Sequence, residues 1–415
     1  MRIIYLHQYF NTPEMPGGNR SFQMARRFVE WGHEVEMITS LREGDDMNRR
    51  DWFTTEEAGI RVHWLPVRAG NAVGFRERIM GFCKFAWKAS KRAAEIDGDI
   101  IFATSTPLTI AIPAIYAQRK RKLPMVFEVR DVWPEAPIQM GVLKNPLLIA
   151  AARRLERAAY RHSKAIVALT PGMKDGVVKS GVPESKVTVI PNSSDLDMFS
   201  PEIDGSEIRK RFGLEENFVF LYFGTHGKAN GLDFVLDAAA ELQRRGDEKI
   251  AFILHGRGME RDNLKRRAER ENLRNVVFSE TLPRKRDLAK LVACADVTMT
   301  IYKNVPILYT CSPNKMFDSF AAGKPVLTNM PGWLQELVDE NQAGVFVRPD
   351  DVKEFADTAQ RLSSDPGLCE TLGRNARRLA EERFARDILA RELESVLVKA
   401  YYGKGNEKAV VAERG

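Results

Sequence analysis

The sequence predicts an α/β protein built from two doubly wound parallel sheets. Short apolar runs alternate with amphipathic helical stretches along the chain. Each run is followed by a polar or glycine-bearing loop, and usually by a helix, as in parallel strands joined by crossovers. The pattern starts afresh near the middle of a 415-residue chain, which is too long for one compact core. The expected division is 1–197 for a first Rossmann-like domain and 198–382 for a second. A helix at 383–402 is expected to return to the first, and 403–415 is a polar tail.

In the first half, residues 2–6 form an apolar strand. The following loop contains PEMPGG, with the Gly17–Gly18 pair opening a helix over 19–31. Phe22, Ala25, Phe28 and Val29 give that helix one apolar face, and Gly32 ends it. Residues 33–39, 99–103, 125–129 and 165–169 are further strands. Ligands of parallel sheets sit at the carboxyl ends of the strands, so the loops 8–18, 104–107 and 130–134 should converge. The last contains RDVWPE, where Asp131 is either half of a strand-end ion pair or a carboxylate facing a polyol. A helix from Phe75 places Phe75, Ile79, Phe82 and Ala86 on one face and Lys84, Lys88 and Lys91 on the other, with Phe85 and Trp87 between. Between Arg61 and Arg92 there are eight Lys or Arg and one acidic residue, Glu77.

The second half leaves a strand at VTVIPNSSDLDMFSP and resumes with strands at 218–223, 249–254, 276–278, 297–301, 324–327 and 344–347. GTHGKANGL, holding Gly224, Thr225, Lys228 and Asn230, follows the first of these and opens a helix, so its backbone can approach a phosphate. HGRGMER places Arg257 and Arg261 beside the next strand end. TCSPNKMFDSFAAGKPVLTN reads as loop, helix, turn and strand. Ser312 is the expected N-cap, Pro313 the first helical residue, Met316, Phe317 and Phe320 the buried face, and Gly323 the end. Lys315 lies in the first turn, where a cation opposes the helix dipole unless an anion joins it. Asp318 stands one turn on, within reach of sugar hydroxyls. An ordinary surface helix accounts for the same residues taken alone.

Composition narrows the class. Hydrophobic residues are 44%, ordinary for a globular protein. No apolar run has transmembrane length, and MRIIYLHQYF enters a strand directly rather than a signal-peptide core. The four cysteines show neither metal nor disulfide spacing, so reduced thiols in the cytoplasm are expected. Net charge +7 and pI about 9.1 point to an anionic partner. Nucleic acid is not expected, because no zinc-finger spacing, RNA-recognition aromatic motif or continuous basic arm occurs. The basic helix from Phe75 fits the anionic inner face of the membrane instead, with the protein cytoplasmic and peripheral.

PGGNRSFQMARRFVEWGHEVEMIT, FEVRDVWPE, VIPNSSDLDMF, YFGTHGKANGLDFVLDAA, HGRGMER and SPNKMFDSFAAGKPVL, in that order and spacing, resemble a glycosyltransferase of family 4 with the two-domain GT-B fold. The resemblance covers nearly the whole chain. It is to bacterial transferases building O-antigen, capsule and exopolysaccharide, of the L-N-acetylfucosamine transferase kind. It implies transfer of a sugar, with retention, from a nucleoside-diphosphate sugar donor to a lipid-linked or saccharide acceptor, with the donor UDP-linked and N-acetylated. It implies no metal and no other cofactor, the fold itself stabilising the departing diphosphate. Asp195 and Asp197, the one Asp-x-Asp spacing considered, read as a turn.

By position, Asp318 matches the second acidic residue of the family's two-glutamate motif, which holds the ribose. Ser312, Asn314 and Lys315 would face the diphosphate. Gly224–Gly231 matches the phosphate loop, and Gly17 and Gly18 border donor and acceptor. Asp131 lies near the transferred sugar, where the family often has histidine, and is assigned with Lys315 to the reacting centre. The motif's first glutamate falls at Thr310, and the usual phosphate-binding Arg and Lys fall at Thr225 and Asn230. Lys228, Lys315 or Arg257 is left to supply that charge. Two other classes remain in view: a GT-B enzyme of other chemistry, such as a nucleotide-sugar 2-epimerase, and a non-enzymatic polyanion binder.

Overall fold

The computed structural model describes residues 1–15, 17–67, 75–279 and 285–403. The chain divides into two compact units, one of Met1–Pro191 together with the segment that begins at Asp387, the other Asn192–Arg386. The changeovers fall at 191/192 and 386/387, a few residues from the 197/198 and 382/383 expected.

The first unit runs β1 (Arg2–Leu6), α1 (Arg20–Glu30), β2 (Glu34–Leu41), β3 (Phe53–Glu57), β4 (Ile60–Pro66), α2 (Phe75–Glu95), β5 (Ile100–Thr104), α3 (Ala111–Arg121), β6 (Met125–Val129), α4 (Glu135–Gln139), α5 (Pro146–His162), β7 (Ala165–Ala168), α6 (Pro171–Lys179) and β8 (Val187–Val189). The sheet order is β3-β4-β2-β1-β5-β6-β7-β8, parallel except for β3. β1, β5 and β6 are buried along almost their whole length, so they show as continuous apolar runs. β3 and β4 lay outside the sequence expectation. β3 is FTTEE, half-exposed at the sheet edge, and joins β4 through Ala58 and Gly59 at φ +51° and +78°. Order reverses between β1 and β5, which makes that point the switch point of this sheet.

The second unit runs α7 (Ser206–Phe212), β9 (Phe218–Phe223), α8 (Asp233–Arg244), β10 (Ile250–His255), α9 (Arg261–Arg270), β11 (Val276–Ser279), α10 (Lys285–Ala293), β12 (Val297–Thr300), α11 (Asn314–Ala321), β13 (Val326–Thr328), α12 (Trp333–Glu340), β14 (Gly344–Phe346), α13 (Val352–Ser364) and α14 (Pro366–Leu379). Its sheet, β11-β10-β9-β12-β13-β14, is wholly parallel, with the switch point between β9 and β12. Phe220, Phe252, Leu254 and Met299 from the strands pack with Phe234, Leu236 and Phe355 from α8 and α13 to form its core.

The last helix, α15 (Arg386–Tyr402), packs in the first unit. Leu389, Ala390, Leu393 and Leu397 are buried, His33 Nε2 meets Glu394 Oε1 at 2.7 Å, and Arg391 covers the Trp31 ring at 3.5 Å.

One dry ion pair holds the middle of the first unit. Arg20, at the start of α1, meets Glu128 of β6 at 2.9 Å, with both side chains almost fully enclosed. The guanidinium also donates to the carbonyls of Ile190 and Pro191, and the Thr104 hydroxyl donates to Glu128. Burial pushes the Glu128 carboxyl up, but Arg20, Arg130 and Thr104 outweigh it and hold it below the usual carboxylate range. Removing one partner of such a pair strands the other in a dry interior. Arg20→Ala is therefore expected to cost about 3–5 kcal/mol in urea unfolding. Arg20→Met with Glu128→Leu should recover most of that loss.

Candidate functional site

In the second unit the site forms where β9, β10 and α11 end or begin. β9 runs into Gly224 and β10 into Gly256, with φ of +145° and +144°, values that only glycine adopts without strain. A Cβ on Gly256 would come 1.7 Å from the Gly224 carbonyl oxygen, so the two strand-end loops nest as bare backbone. Gly224 N donates to His255 O at 3.0 Å and His226 N to Arg257 O at 2.8 Å, which locks the nest. The buried His226 ring lies against Tyr222 and Phe278. Burial first, and Arg261 second, hold its pKa down at about 4, so it is neutral at pH 7. His255 Nδ1 meets Ser279 Oγ at 2.7 Å and is likewise held to about 4, chiefly by burial.

α11 differs from its expected start. Ser312 is not its cap: the helix begins at Asn314, the capping position falls on Pro313, and no side chain caps it. Asn192 takes Ser312 instead, its backbone N donating to the Ser312 hydroxyl at 3.1 Å and its Nδ2 to the Ser312 carbonyl at 2.5 Å. The first turn holds no acidic residue either, so no carboxylate of its own offsets the positive dipole end. Gly323 follows the end of the helix at φ +64°, as expected. Met316, Phe317 and Phe320 are its buried face.

Lys315 occupies this end. Its Nζ is fully enclosed and has no hydrogen-bond partner, although the rest of the side chain is only half-buried. It lies 3.7 Å from the centroid of the Tyr222 ring and 5.5 Å from that of Tyr302, residues of β9 and of the segment after β12. Those strands flank the switch point. A Cβ on Gly224 would meet Lys315 Nζ at 3.1 Å, so the ammonium rests against the glycine backbone. Burial lowers its pKa from 10.5 to about 7. A buried cation facing two tyrosine rings and an uncapped helix start is a site for an anion.

The remaining residues of the second unit are placed as follows. Asp318 is buried on α11, three residues after Lys315. Asn314 is the first helical residue. Thr225 and Lys228 are exposed on the β9 loop, and the Thr225 carbonyl accepts from Tyr222 at 2.8 Å. Asn230 is turned onto its own loop, its Oδ1 accepting from Gly227 N at 3.3 Å. Arg257 is exposed on the β10 loop. Tyr222, Tyr302, His226 and His255 were absent from the sequence expectation. Their signal was position alone, within the last two residues of a strand or just beyond it.

In the first unit the ends of β1, β5 and β6 meet. Arg130 N donates to Ser105 Oγ at 3.0 Å, and Thr106 Oγ1 to Asp131 Oδ2 at 2.8 Å. Burial raises the Asp131 carboxyl above its ordinary value, opposed by Thr106 and Arg130. Gly17, at φ +110°, and Gly18 lie before α1, where the Gly18 carbonyl accepts from Asn11 Nδ2 at 3.2 Å. The structure therefore gathers Asp131 with the 104–107 loop, and Lys315 with Gly224, each within its own unit.

Two parallel-sheet α/β domains of this kind define the GT-B class, and solved structures agree. Anabaena HepE in complex with UDP superposes with a TM-score of 0.72 at 20% identity, covering 96% of this chain and all of that one. WaaG, a glycosyltransferase involved in lipopolysaccharide biosynthesis, gives 0.69 at 18%, covering 95% and 99%. The chain matches the glycosyl transferase 4-like domain over residues 17–193 and the glycosyl transferases group 1 family over 204–379, and so belongs to the glycosyltransferases. Relatives include the α-D-kanosaminyltransferase of Streptomyces kanamyceticus, 26% identical over 56% of this chain and 60% of that protein. The probable glycosyltransferase WbjE of Pseudomonas aeruginosa is 25% identical over 64% and 66%, and the putative colanic acid transferase WcaI of Escherichia coli 23% over 64% and 69%. This chain thus spans under two thirds of the length of the first two.

The Lys315 charge sets a stability signature. Its folded pKa is lowered, so the cost of burying the ammonium is fully present below about pH 7 and disappears as pH rises toward 10.5. Lys315→Met should therefore stabilise the free protein by an amount on the order of 2–4 kcal/mol at pH 6. The gain should shrink steadily up to pH 10 in denaturant titrations. A gain that does not change with pH would place the charge in solvent.

Proposed function

We propose that this protein is a retaining glycosyltransferase that moves an N-acetylated sugar from a UDP-linked donor to a lipid-linked or saccharide acceptor in cell-surface polysaccharide synthesis. The observation that carries the reading is the enclosed, partnerless Lys315 ammonium at the uncapped start of α11. Negative charge develops on the departing diphosphate, and a preorganised cation with aligned N–H dipoles stabilises it without reorganisation. This chain has Thr225 and Asn230 where the family's phosphate-binding Arg and Lys would fall, and Lys315 supplies the missing charge from the helix side. UDP as the base is supported by HepE, solved with UDP and with UDP-glucose. The pathway is supported by relatives named for colanic acid and capsule synthesis.

In this reading Asp318 accepts the ribose hydroxyls. Gly224 lets the backbone approach the diphosphate, and Asp131, held by Thr106, orients the acceptor hydroxyl. Lys315 acts mainly in the transition state. No metal or other cofactor is assigned a part. Release of UDP only when an acceptor is added would separate transfer from single-substrate chemistry such as epimerisation. Asp318→Ala removes charge-assisted hydrogen bonds worth about 1.5–3 kcal/mol each, so UDP affinity by calorimetry should fall at least about tenfold with the fold intact. Unchanged affinity in the folded variant would refute the ribose assignment.

We also propose cytoplasmic attachment to an anionic membrane, through a face that differs from the expected stripe. No helix among the described residues is long and apolar enough to cross a membrane. On α2 the packed face is Phe82, Phe85, Ala86, Ala89 and Ala93, so Ile79 and Trp87 point outward. Burial of the Phe85 and Ala89 rows rotates the helix from its expected register. Lys88 is drawn to Asp51 at 2.8 Å, and Lys91 covers Trp87 at 4.2 Å. Arg68 lies outside the described residues, as do the side chains of Phe75 and Arg76.

α2 packs on α3 and α3 on α5. Across these helices and the turn before α5, Ile79, Met80, Trp87, Ile112, Tyr116, Val142, Leu147 and Leu148 are exposed. Between α3 and α5 an open groove of about 550 Å³ is lined by Ile112, Ile115, Tyr116 and Leu155, with Arg119 and Lys120. Apolar side chains ringed by Lys and Arg suit an interfacial surface, each cation adding about 1 kcal/mol near anionic headgroups. Sedimentation with liposomes should require anionic lipid, weaken with salt, and weaken further in Met80→Ser/Trp87→Ser. Equal binding to neutral vesicles, or none to either, would overturn the attachment.

A further inference from the structure

The strands β2, β1, β5 and β6 stand side by side in the first unit and are mutually parallel, so their carboxyl ends share one edge. Arg42 follows β2, His7 and Gln8 follow β1, Ser105 and Thr106 follow β5, and Arg130 and Asp131 follow β6. This edge straddles the switch point of the sheet. The transferase reading uses only Asp131 and the glycine loop here.

Three features of the edge do not belong to ordinary packing. Gln8 is fully buried, yet neither its amide oxygen nor its amide nitrogen has a hydrogen-bond partner. His7 is 97% enclosed and its Nδ1 has none. Native interiors leave few such atoms, and each needs an explanation.

Arg130 lies against this histidine, and Arg42, at the end of the neighbouring strand β2, acts on it by charge. Arg130 Nη1 lies 3.4 Å from His7 Nε2, and both cations, after burial, keep the imidazole neutral and well below its usual range. Neither arginine forms an ion pair among the described residues. Arg42 donates to Asn11 Oδ1 and lies over the Tyr9 ring at 4.9 Å, and burial draws its guanidinium below its ordinary value. Of the carboxylates that bear on the two, Glu128 and Asp131 are engaged, and Glu43 is exposed. Glu128 is taken by Arg20 and Thr104, Asp131 is bound by Thr106, and Glu43 is the neighbour of Arg42 in sequence.

We propose that Arg42, Arg130, His7 and Gln8 form an oxyanion site that receives the phosphate or diphosphate group of the acceptor. Guanidinium forks match phosphate oxygens in geometry and charge. A neutral imidazole and a primary amide add directional donors, and the Asn11 amide already ties Arg42 to the Gly17–Gly18 loop. The site puts the charged part of an acceptor on the same edge as Asp131, which would orient the hydroxyl. The inference rests on the transferase reading only for naming the acceptor as the carrier of the phosphate.

Pyrophosphate titrated by calorimetry into the full-length protein saturated with UDP tests it. Binding to one site is expected, weakened at least about tenfold in Arg42→Gln and in Arg130→Gln. UDP affinity in both should stay within about twofold of the parent. Arg42→Lys and Arg130→Lys retain the charge and should retain part of the binding, which separates loss of the ligand site from loss of the fold. A short-chain prenyl diphosphate and glucose 1-phosphate, used as competitors, tell a lipid-borne diphosphate from a sugar phosphate by which displaces pyrophosphate better. No pyrophosphate binding, binding untouched by both Gln variants, displacement by neither competitor, or a parallel fall in UDP affinity would each overturn the site. Failure of UDP itself to bind would refute the transferase reading alone, since pyrophosphate is then titrated into the free protein.

Discussion

Arg20 gives up nearly all contact with water to make four hydrogen bonds to three acceptors more than a hundred residues away in sequence. Glu128 receives two of its N–H groups, and the carbonyls of Ile190 and Pro191 receive others. A desolvated guanidinium is tolerable only with every donor direction answered by charge or carbonyl. The start of α1, the interior of β6 and the end of the first unit's main run must therefore hold their places together. Glu128 immediately precedes the strand end that delivers Arg130 and Asp131, so the same constraint aims the polar edge of the sheet.

The second unit treats its buried cation in the opposite way. Lys315 is enclosed against aromatic faces and backbone with no carboxylate to answer it. A lysine held near pKa 7 costs stability in the free protein, and that cost is tolerated where it sharpens function. A fully paired arginine and a partnerless lysine thus mark two opposite ways of enclosing a cation, one in each unit.

The parallel core was legible because β1, β5, β6, β9 and β10 are buried on both faces and show as unbroken apolar runs. β3 and β4 were not, since edge strand β3 exposes Thr54 and Glu56, and β4, although buried, carries Arg61 and His63 within its run. The helix that carries Lys315 and Asp318 was legible from its apolar face and the glycine that follows it. The surroundings of Lys315 were not, because Tyr222 reaches it through strand order and not through any local pattern. Ser312 has the right residue type and spacing for a cap, but Asn192, distant in sequence, takes it first. Arg42, His7 and Arg130 become neighbours only once β2, β1, β5 and β6 are set in order, and a single sequence states no such order. On α2, helical period located the helix and its basic residues, but the buried face was set by Phe85 and Ala89 against α3 and the sheet.

The first unit takes in segments on either side of the second in sequence, with α15 docked through Leu389, Leu393 and the His33–Glu394 contact. The second unit is one uninterrupted stretch. During synthesis the order of completion is therefore inverted. The second unit can close as soon as its own residues have emerged, while the first, made earlier, must wait for its final helix with the apolar seat of α15 uncovered. Premature termination after Arg386 but within α15 would yield a finished second unit tethered to an unfinished first one. Quality control would then see every truncated chain through that one exposed seat.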